Sequence, residues 1–331
     1  MEENIRSFSS QIKNNLSDFD QIELVSKSIS SVLIIGQGGS GIAGVLLSDL
    51  LKYELEIPVT INNGYDLPKW VDQSTLVIAS SYSGNTEETL NVLNICLGLG
   101  LKPICITSGG KILEICENKK LEFFLLPHGF HPREALAFSI SLLFLVFYKY
   151  QIVSKNVIQK LIYASDFILN QQEKIIKKSK KISSDIFKKI PIVYSTNFFY
   201  GAILRFKQQL NENSKVPCWI NTVPEMNHNE IVGWENIHKN INKNFSPIFI
   251  KSNLDKEKNK IRIDLSIDIL KTKEIDSNLI ILDEGGLFCQ YFSLINLFDF
   301  TSFYLAKKNN VDPYNIESIS FLKSKLTDLN G

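Results

Sequence analysis

Residues 75–89, Thr-Leu-Val-Ile-Ala-Ser-Ser-Tyr-Ser-Gly-Asn-Thr-Glu-Glu-Thr, constrain the fold more than any other stretch. Thr75–Ala79 is a short apolar run without alternation, the pattern of a strand covered on both faces, and such strands belong to parallel sheets. The run gives way to Ser80, Ser81, Ser83, Gly84, Asn85 and Thr86, and then Thr89, Leu90, Val92 and Leu93 recur at helical spacing. A strand that turns tightly into a helix aims backbone N–H groups at one point beyond the strand's carboxyl end. The positive end of the helix dipole lies there too. Hydroxyls around that point add donors, and Gly84 lets the backbone come close, an arrangement suited to a phosphate dianion. A plainer reading stays open, in which Ser83 or Thr86 simply caps the helix. Capping needs one hydroxyl, and Ser80, Ser81, Ser83 and Thr86 supply four.

A chain of 331 residues exceeds what a single core usually organises, so two domains are expected. Lys+Arg 36 against Asp+Glu 35 leaves a net charge of +1, with no bias toward nucleic acid or an anionic membrane. The basic run at 177–181 alternates with apolar residues and reads as a solvated helix face. Ala135–Tyr148, the longest apolar segment, is too short to span a bilayer and reads as a helix buried on nearly all sides. Met1-Glu-Glu-Asn-Ile-Arg lacks the basic start and apolar core of a signal peptide. The five cysteines are scattered and form no CxxC pair, which points to free thiols in a reducing cytoplasm and away from a zinc site. No metal-ligand spacing occurs among the four histidines.

Strand and helix patterns alternate along the chain. One or two leading helices fall within residues 5–30, followed by strands at Ser31–Gly36, Pro58–Asn62, Thr75–Ala79, Lys102–Thr107 and Phe123–Leu126, with helices between them. A linker or long helix covers roughly 150–188. The pattern then restarts with strands at Ile190–Ser195, Pro217–Asn221, Ser246–Ile250 and Leu279–Leu282. Helices are expected at Gly201–Asn213, Lys260–Lys271, from Gly286 to about Asn309, and at Asn315–Leu326. The predicted fold is α/β, two doubly wound parallel-sheet domains built as αβα sandwiches with a C-terminal helical extension. The domains are 1–152 with the leading helices and 153–331 with the terminal ones. Similar strand–loop–helix openings at 31–50 and 190–210 hint at duplication.

Gly36-x-Gly38-x-x-Gly41 sits between a strand and a helix, as a dinucleotide fingerprint should. That fingerprint also needs a carboxylate ending the second strand to hold the ribose. Here the strand ends Thr60-Ile-Asn-Asn-Gly64. The nicotinamide reading therefore yields to one in which the 36–44 loop, with Ser40, shares a small ligand with the serine loop. Both would line one crevice at the sheet's carboxyl edge.

Gly38-Gly-Ser-Gly-Ile42, Ser80-Ser-Tyr-Ser-Gly-Asn-Thr-Glu-Glu-Thr89, Pro132-Arg133, Asn211-Glu-Asn213 and Pro224-Glu-Met-Asn-His-Asn-Glu-Ile-Val-Gly233 occur in that order. Gly285, Val311-Asp-Pro313 and Leu322-Lys323 follow. Together they resemble the bifunctional phosphoglucose/phosphomannose isomerase family, built from two sugar isomerase (SIS) domains, and the resemblance runs through nearly the whole chain. It implies a cytoplasmic enzyme that interconverts glucose 6-phosphate and fructose 6-phosphate, and also mannose 6-phosphate, through a metal-free cis-enediol. Ser81, Ser83 and Thr86 match the phosphate loop, with Gly39 and Ser40 beside them. Glu212 matches the base that moves the proton between C1 and C2. His228 matches the ring-opening histidine, which in the family reaches the site from the partner subunit, so a homodimer is implied. Arg133 matches the arginine that steadies the enediolate, and Lys323 the C-terminal lysine on the O5 side of the sugar. Glu87 and Glu88 must point away from the phosphate.

Taken alone, Glu212 also reads as a surface residue at a helix end. The chain departs from the family at Tyr314, where a threonine associated with room for both C2 epimers is common, and at Glu134, which replaces a small residue. Other readings are another SIS-type phosphosugar isomerase, or a non-catalytic phosphosugar-binding protein, which would lack Glu212 and His228.

Overall fold

The apolar runs form parallel sheets. The computed structural model describes residues 1–235 and 239–329. Its chain divides into two compact units, one of Met1, Glu3–Gln172 and Glu284–Phe292, the other of Glu2, Glu173–Asp283 and Ser293–Gly331. Two short helices, α1 (Glu2–Arg6) and α2 (Phe8–Asn15), lead the chain. Then come β1 (Ser31–Ile35), α3 (Gly38–Leu51), β2 (Val59–Asn62), β3 (Thr75–Ser81), α4 (Glu87–Gly98) and β4 (Ile104–Thr107). The first sheet is completed by α5 (Gly110–Lys119) and β5 (Phe123–Leu125), and α6 (Leu136–Lys149) and the long α7 (Lys155–Asp185) follow. Its strand order is β2-β1-β3-β4-β5, all parallel.

The two central strands, β1 and β3, are buried at every position. Alternate side chains take opposite faces. Leu33, Ile35 and Val77 pack with Val92 and Cys96 of α4, while Ala79 and Cys105 pack with Leu93 and with Ile112 and Cys116 of α5. Ile34 lies next to α3, where a Cβ built on Gly44 would be 3.1 Å from its side chain. Against α2 and α3 packs α6, buried without a break from Leu136 to Phe147, as its unrelieved apolar sequence requires.

In the second unit β6 (Ile190–Thr196), α8 (Tyr200–Gln209), β7 (Trp219–Val223), α9 (Glu230–Gly233) and α10 (Lys239–Asn242) come first. They are followed by β8 (Phe245–Ser252), α11 (Glu257–Thr272), β9 (Asn278–Leu282), α12 (Leu287–Lys308) and α13 (Glu317–Leu329), α12 starting within the first unit's residues. The strand order is β7-β6-β8-β9, again parallel. Tyr194 and Phe249 of the central strands pack with Met226, Trp234 and α11 residues Ile263 and Leu270. Both sheets thus run second-first-third-fourth in strand sequence, which matches the two similar openings read near 31 and 190. The expected two-sheet α/β fold is what forms. Among the described residues, no helix is long and apolar enough to cross a membrane.

Two elements differ from the sequence expectation in ways that bear on function. The strand expected to stop at Ala79 continues through Ser80 to Ser81, so Ser81 is the last strand residue and its hydroxyl stands at the sheet edge. The helix expected over 201–213 ends as an α-helix at Gln209 and widens into a π-helical turn, Leu210–Ser214, stopped by Lys215 in the left-handed region at φ 58°.

Candidate active site

In an open α/β sheet, ligands bind beyond the strands' carboxyl ends where the strand order reverses, which in the first sheet is between β1 and β3. The glycine and serine loops both leave from there, and they are joined. The Tyr82 backbone N–H donates to Ser40 Oγ at 3.2 Å. Ser81 Oγ and Thr86 Oγ1 are 2.8 Å apart. Thr86 occupies the N-cap position of α4, yet its hydroxyl makes no capping bond to the helix and faces Ser81 instead. That departs from the plain capping reading. Ser83 is exposed, and its Oγ accepts from Asn85 N–H at 3.2 Å. Glu87 and Glu88 fill the first turn of α4.

Gly84, at φ +66°, passes so close to the next loop that a Cβ there would lie 1.7 Å from the Gly109 carbonyl oxygen. Only glycine fits. The loops after β3 and β4 are stitched further by Ser108, whose Oγ and N–H donate to the Tyr82 carbonyl at 2.6 and 3.0 Å.

Arg133 is brought to the same edge. It is 5% exposed, on a single 3-10 turn, Pro132–Glu134. Gly39 lies against that turn, for a Cβ on it would be 2.7 Å from the Pro132 carbonyl oxygen. The segment leading there is held by the Tyr82 phenol, which donates to the Pro127 carbonyl at 2.8 Å and accepts from Phe130 N–H at 2.9 Å. Glu134 forms a capping box with His131 and lies 3.6 Å from the Met1 amino group. Gly39, Ser40, Ser81, Ser83, Thr86 and Arg133 therefore share one edge of the first unit.

Glu212, His228 and Lys323 belong to the second unit, on three different elements. Glu212, half-buried, lies in the π-helical turn after α8. A buried fork holds that helix in place: Arg205 Nε and Nη2 donate to Asp299 Oδ1 and Oδ2 of α12 at 3.1 and 2.9 Å, and Gln209 Nε2 donates to Oδ1 at 3.0 Å. Asn213 Nδ2 donates to Ser302 Oγ at 3.0 Å, and Ser214 Oγ to the Ser302 carbonyl at 2.7 Å. Lys215 Nζ then donates to the carbonyls of Glu212 at 2.6 Å and Asp312 at 3.0 Å. The two residues that follow Glu212 are thus fixed to α12, and the Asp312-Pro-Tyr314 turn is tied to the same spot.

His228 is exposed at the end of a 3-10 turn, Glu225–His228. Its flanks are anchored by a carboxylate: Glu230 accepts from Tyr194 OH at 2.6 Å and from Asn221 Nδ2 at 2.5 Å, while Trp234 Nε1 donates to the Tyr194 oxygen at 3.0 Å. Burial and the Glu230 charge push the Tyr194 phenol well above its ordinary range, so it stays a neutral donor. Lys323 is exposed on α13. Sequence reading missed Tyr82, Arg205 and Asp299, and although Glu230 stands out there as a carboxylate near His228, its bonds to Tyr194 and Asn221 do not. An aspartate inside the apolar Leu297-Phe-Asp-Phe300 was a signal for a buried ion pair.

Two parallel sheets of this connectivity, with hydroxyl and glycine loops at the first switch point, define a tandem SIS protein. The SIS domain model matches residues 25–115, and the model for the bacterial phospho-glucose isomerase C-terminal SIS domain matches residues 175–326. The chain is 36% identical to a bifunctional phosphoglucose/phosphomannose isomerase from Caldicellulosiruptor bescii, covering 93% of each chain, and it belongs to that family. It is also 37% identical to a D-glucosamine-6-phosphate 4-epimerase from Sulfolobus acidocaldarius over 68% of this chain and 70% of the other. Tagatose-6-phosphate ketose/aldose isomerase from Escherichia coli shares the fold, with a TM-score of 0.69 at 15% identity, over 95% of this chain and 94% of that one.

Proposed function

We propose that this protein interconverts glucose 6-phosphate and fructose 6-phosphate, and accepts mannose 6-phosphate, through a cis-enediol without metal or cofactor. The observation that carries the reading is the convergence of Ser40, Ser81 and Thr86 at the switch point, in a chain that also retains Glu212 and His228. The hydroxyls and loop N–H groups hold the 6-phosphate, with α4's N-terminus favouring its charge. His228 moves the proton that opens the ring, and Lys323 neutralises the O5 side. Glu212 takes the proton from C2 of the aldose and returns it to C1, or the reverse. Turning the enediol about its C2–C3 bond presents either face of C2 to Glu212, so one base yields glucose or mannose 6-phosphate. Arg133 stabilises the negative charge that develops on the enediolate oxygens.

The domains are read as 1–152 and 153–331, with His228 supplied across a homodimer and the enzyme at work in the cytoplasm. The kinship with a 4-epimerase favours a second reading, chemistry at C4 of an amino sugar phosphate. Purified protein given fructose 6-phosphate in EDTA decides between them: glucose and mannose 6-phosphate are expected. Turnover of glucosamine 6-phosphate alone would refute the proposal.

A further inference from the structure

The second unit repeats the strand order of the first, so it has a switch point of its own, between the carboxyl ends of β6 and β8. A carboxylate of the chain stands there. Asp255, 4% exposed, lies two residues before α11. Its Oδ1 accepts from Thr196 Oγ1 at 2.5 Å, and its Oδ2 from the Ser252 backbone N–H at 2.7 Å. Thr196 is the last residue of β6 and Ser252 the last of β8, so one side chain bridges the two strand ends that bracket the crevice. The turn is closed further by Ser252 Oγ, which accepts from Leu254 N–H at 2.9 Å, and by the Ser252 carbonyl, which accepts from Asp255 N–H at 3.2 Å. At the equivalent place in the first unit, the Ser81 and Thr86 hydroxyls pair with each other at 2.8 Å, and each keeps capacity for a further partner.

We infer that Asp255 is a built-in anion: its carboxylate holds, at the second switch point, the place a ligand phosphate would take, and closes that crevice to phosphosugars. An arriving dianion would find the Thr196 hydroxyl and the Ser252 N–H already engaged, and would meet a buried charge of its own sign. The side chain instead serves the fold, locking β6 to β8 ahead of α11. A duplicated sheet thereby contributes Glu212 and His228 without offering a second pocket for the phosphate. The inference goes beyond the proposed activity, and its first test does not involve the first unit.

Thermal unfolding of Asp255→Ala and Asp255→Asn, with and without sodium formate and against sodium chloride at equal ionic strength, tests it. Formate is the excised carboxylate. The alanine protein should melt on the order of 5 °C lower than wild type, because it leaves buried donors unpaired. Formate should restore at least half of that loss in a saturable way, and chloride should not. The asparagine protein, whose amide can accept from Ser252 and donate to Thr196, should melt near wild type and ignore formate. Asp255→Ser is read the same way as the alanine protein should the latter not fold. A wild-type melting temperature in the alanine protein, or equal recovery in chloride, would overturn the inference. In a second arm, inorganic phosphate binding followed by calorimetry should vanish in Ser81→Ala/Ser83→Ala/Thr86→Val. Phosphate binding that survives there would place a site elsewhere and overturn the closed second crevice.

Discussion

Tyr82→Phe deletes one oxygen and leaves the rest of the serine loop as it stands. The Tyr82 N–H still reaches Ser40 Oγ, and its carbonyl still accepts from Ser108. Lost are the phenol's bonds to the Pro127 carbonyl at 2.8 Å and from Phe130 N–H at 2.9 Å, the two that hold the segment leading to Arg133. Each such bond contributes about 1 kcal/mol net. The half-buried Phe130 N–H can partly recover water, so a total near 2 kcal/mol is expected, or a fall of about 4–8 °C in melting temperature. Activity should suffer more than stability. A guanidinium displaced by on the order of 1 Å loses up to about 100-fold in rate. Steady-state kinetics on fructose 6-phosphate should therefore show kcat reduced about 10- to 100-fold. Inorganic phosphate should inhibit with nearly unchanged affinity, because the anchoring hydroxyls are untouched. A Tyr82→Phe enzyme with wild-type kcat, or one whose phosphate affinity falls in step with kcat, would refute the reasoning.

Gly39→Ala should act on the same segment from the other side, since its Cβ would meet the Pro132 carbonyl oxygen at 2.7 Å. Overpacking of this kind costs about 1–3 kcal/mol, and denaturant unfolding together with a lowered kcat would register it. Asp299→Ala removes the acceptor of the buried Arg205 fork and should cost about 3–5 kcal/mol by urea unfolding, with loss of turnover as the Glu212 turn is released. Asp255 predicts a pH dependence. Burial raises its carboxyl above the ordinary range, against the opposing Thr196 and Ser252 hydrogen bonds and the Lys260 charge. A carboxyl raised on folding binds its proton more tightly in the native state. Its contribution is therefore complete below the ordinary carboxylate pKa and declines as pH rises from there to the raised value. Across that window melting temperature should fall more steeply with rising pH, or rise less, in wild type than in Asp255→Asn, and equal slopes would refute it.

Much of the fold could be read from local pattern because buried parallel strands carry continuous apolar runs, and β1, β3, β6 and β8 each contain one. The serine loop was legible for the same reason, as a hydroxyl cluster pinned between a strand and a helix. What the pattern does not carry is set by partners distant in sequence. The π-helical turn at Glu212 is held by Asp299 and Ser302, 94 and 89 residues from the side chains that reach them. Local propensity over 201–213 favours an unbroken helix, and tertiary anchors override it. Tyr82 reads as an ordinary loop aromatic until its phenol is seen to bond residues 45 and 48 positions later. Asp255 has no local signature, since one aspartate before a helix suggests a cap, not a carboxylate turned back onto two strand ends. The catalytic assignments of Glu212, His228, Arg133 and Lys323 came from motif resemblance, because no spacing rule alone singles them out.

Turnover of fructose 6-phosphate in D2O with EDTA, with wild type and Glu212→Gln compared by NMR of the aldose products, tests the central claim most directly. A carboxylate that shuttles the proton through an enediol exchanges part of it with solvent. Wild type should yield glucose and mannose 6-phosphates that carry deuterium at C2, and Glu212→Gln should lose at least about 1,000-fold in rate. Full turnover without deuterium at C2, or near-normal turnover by Glu212→Gln, would contradict it.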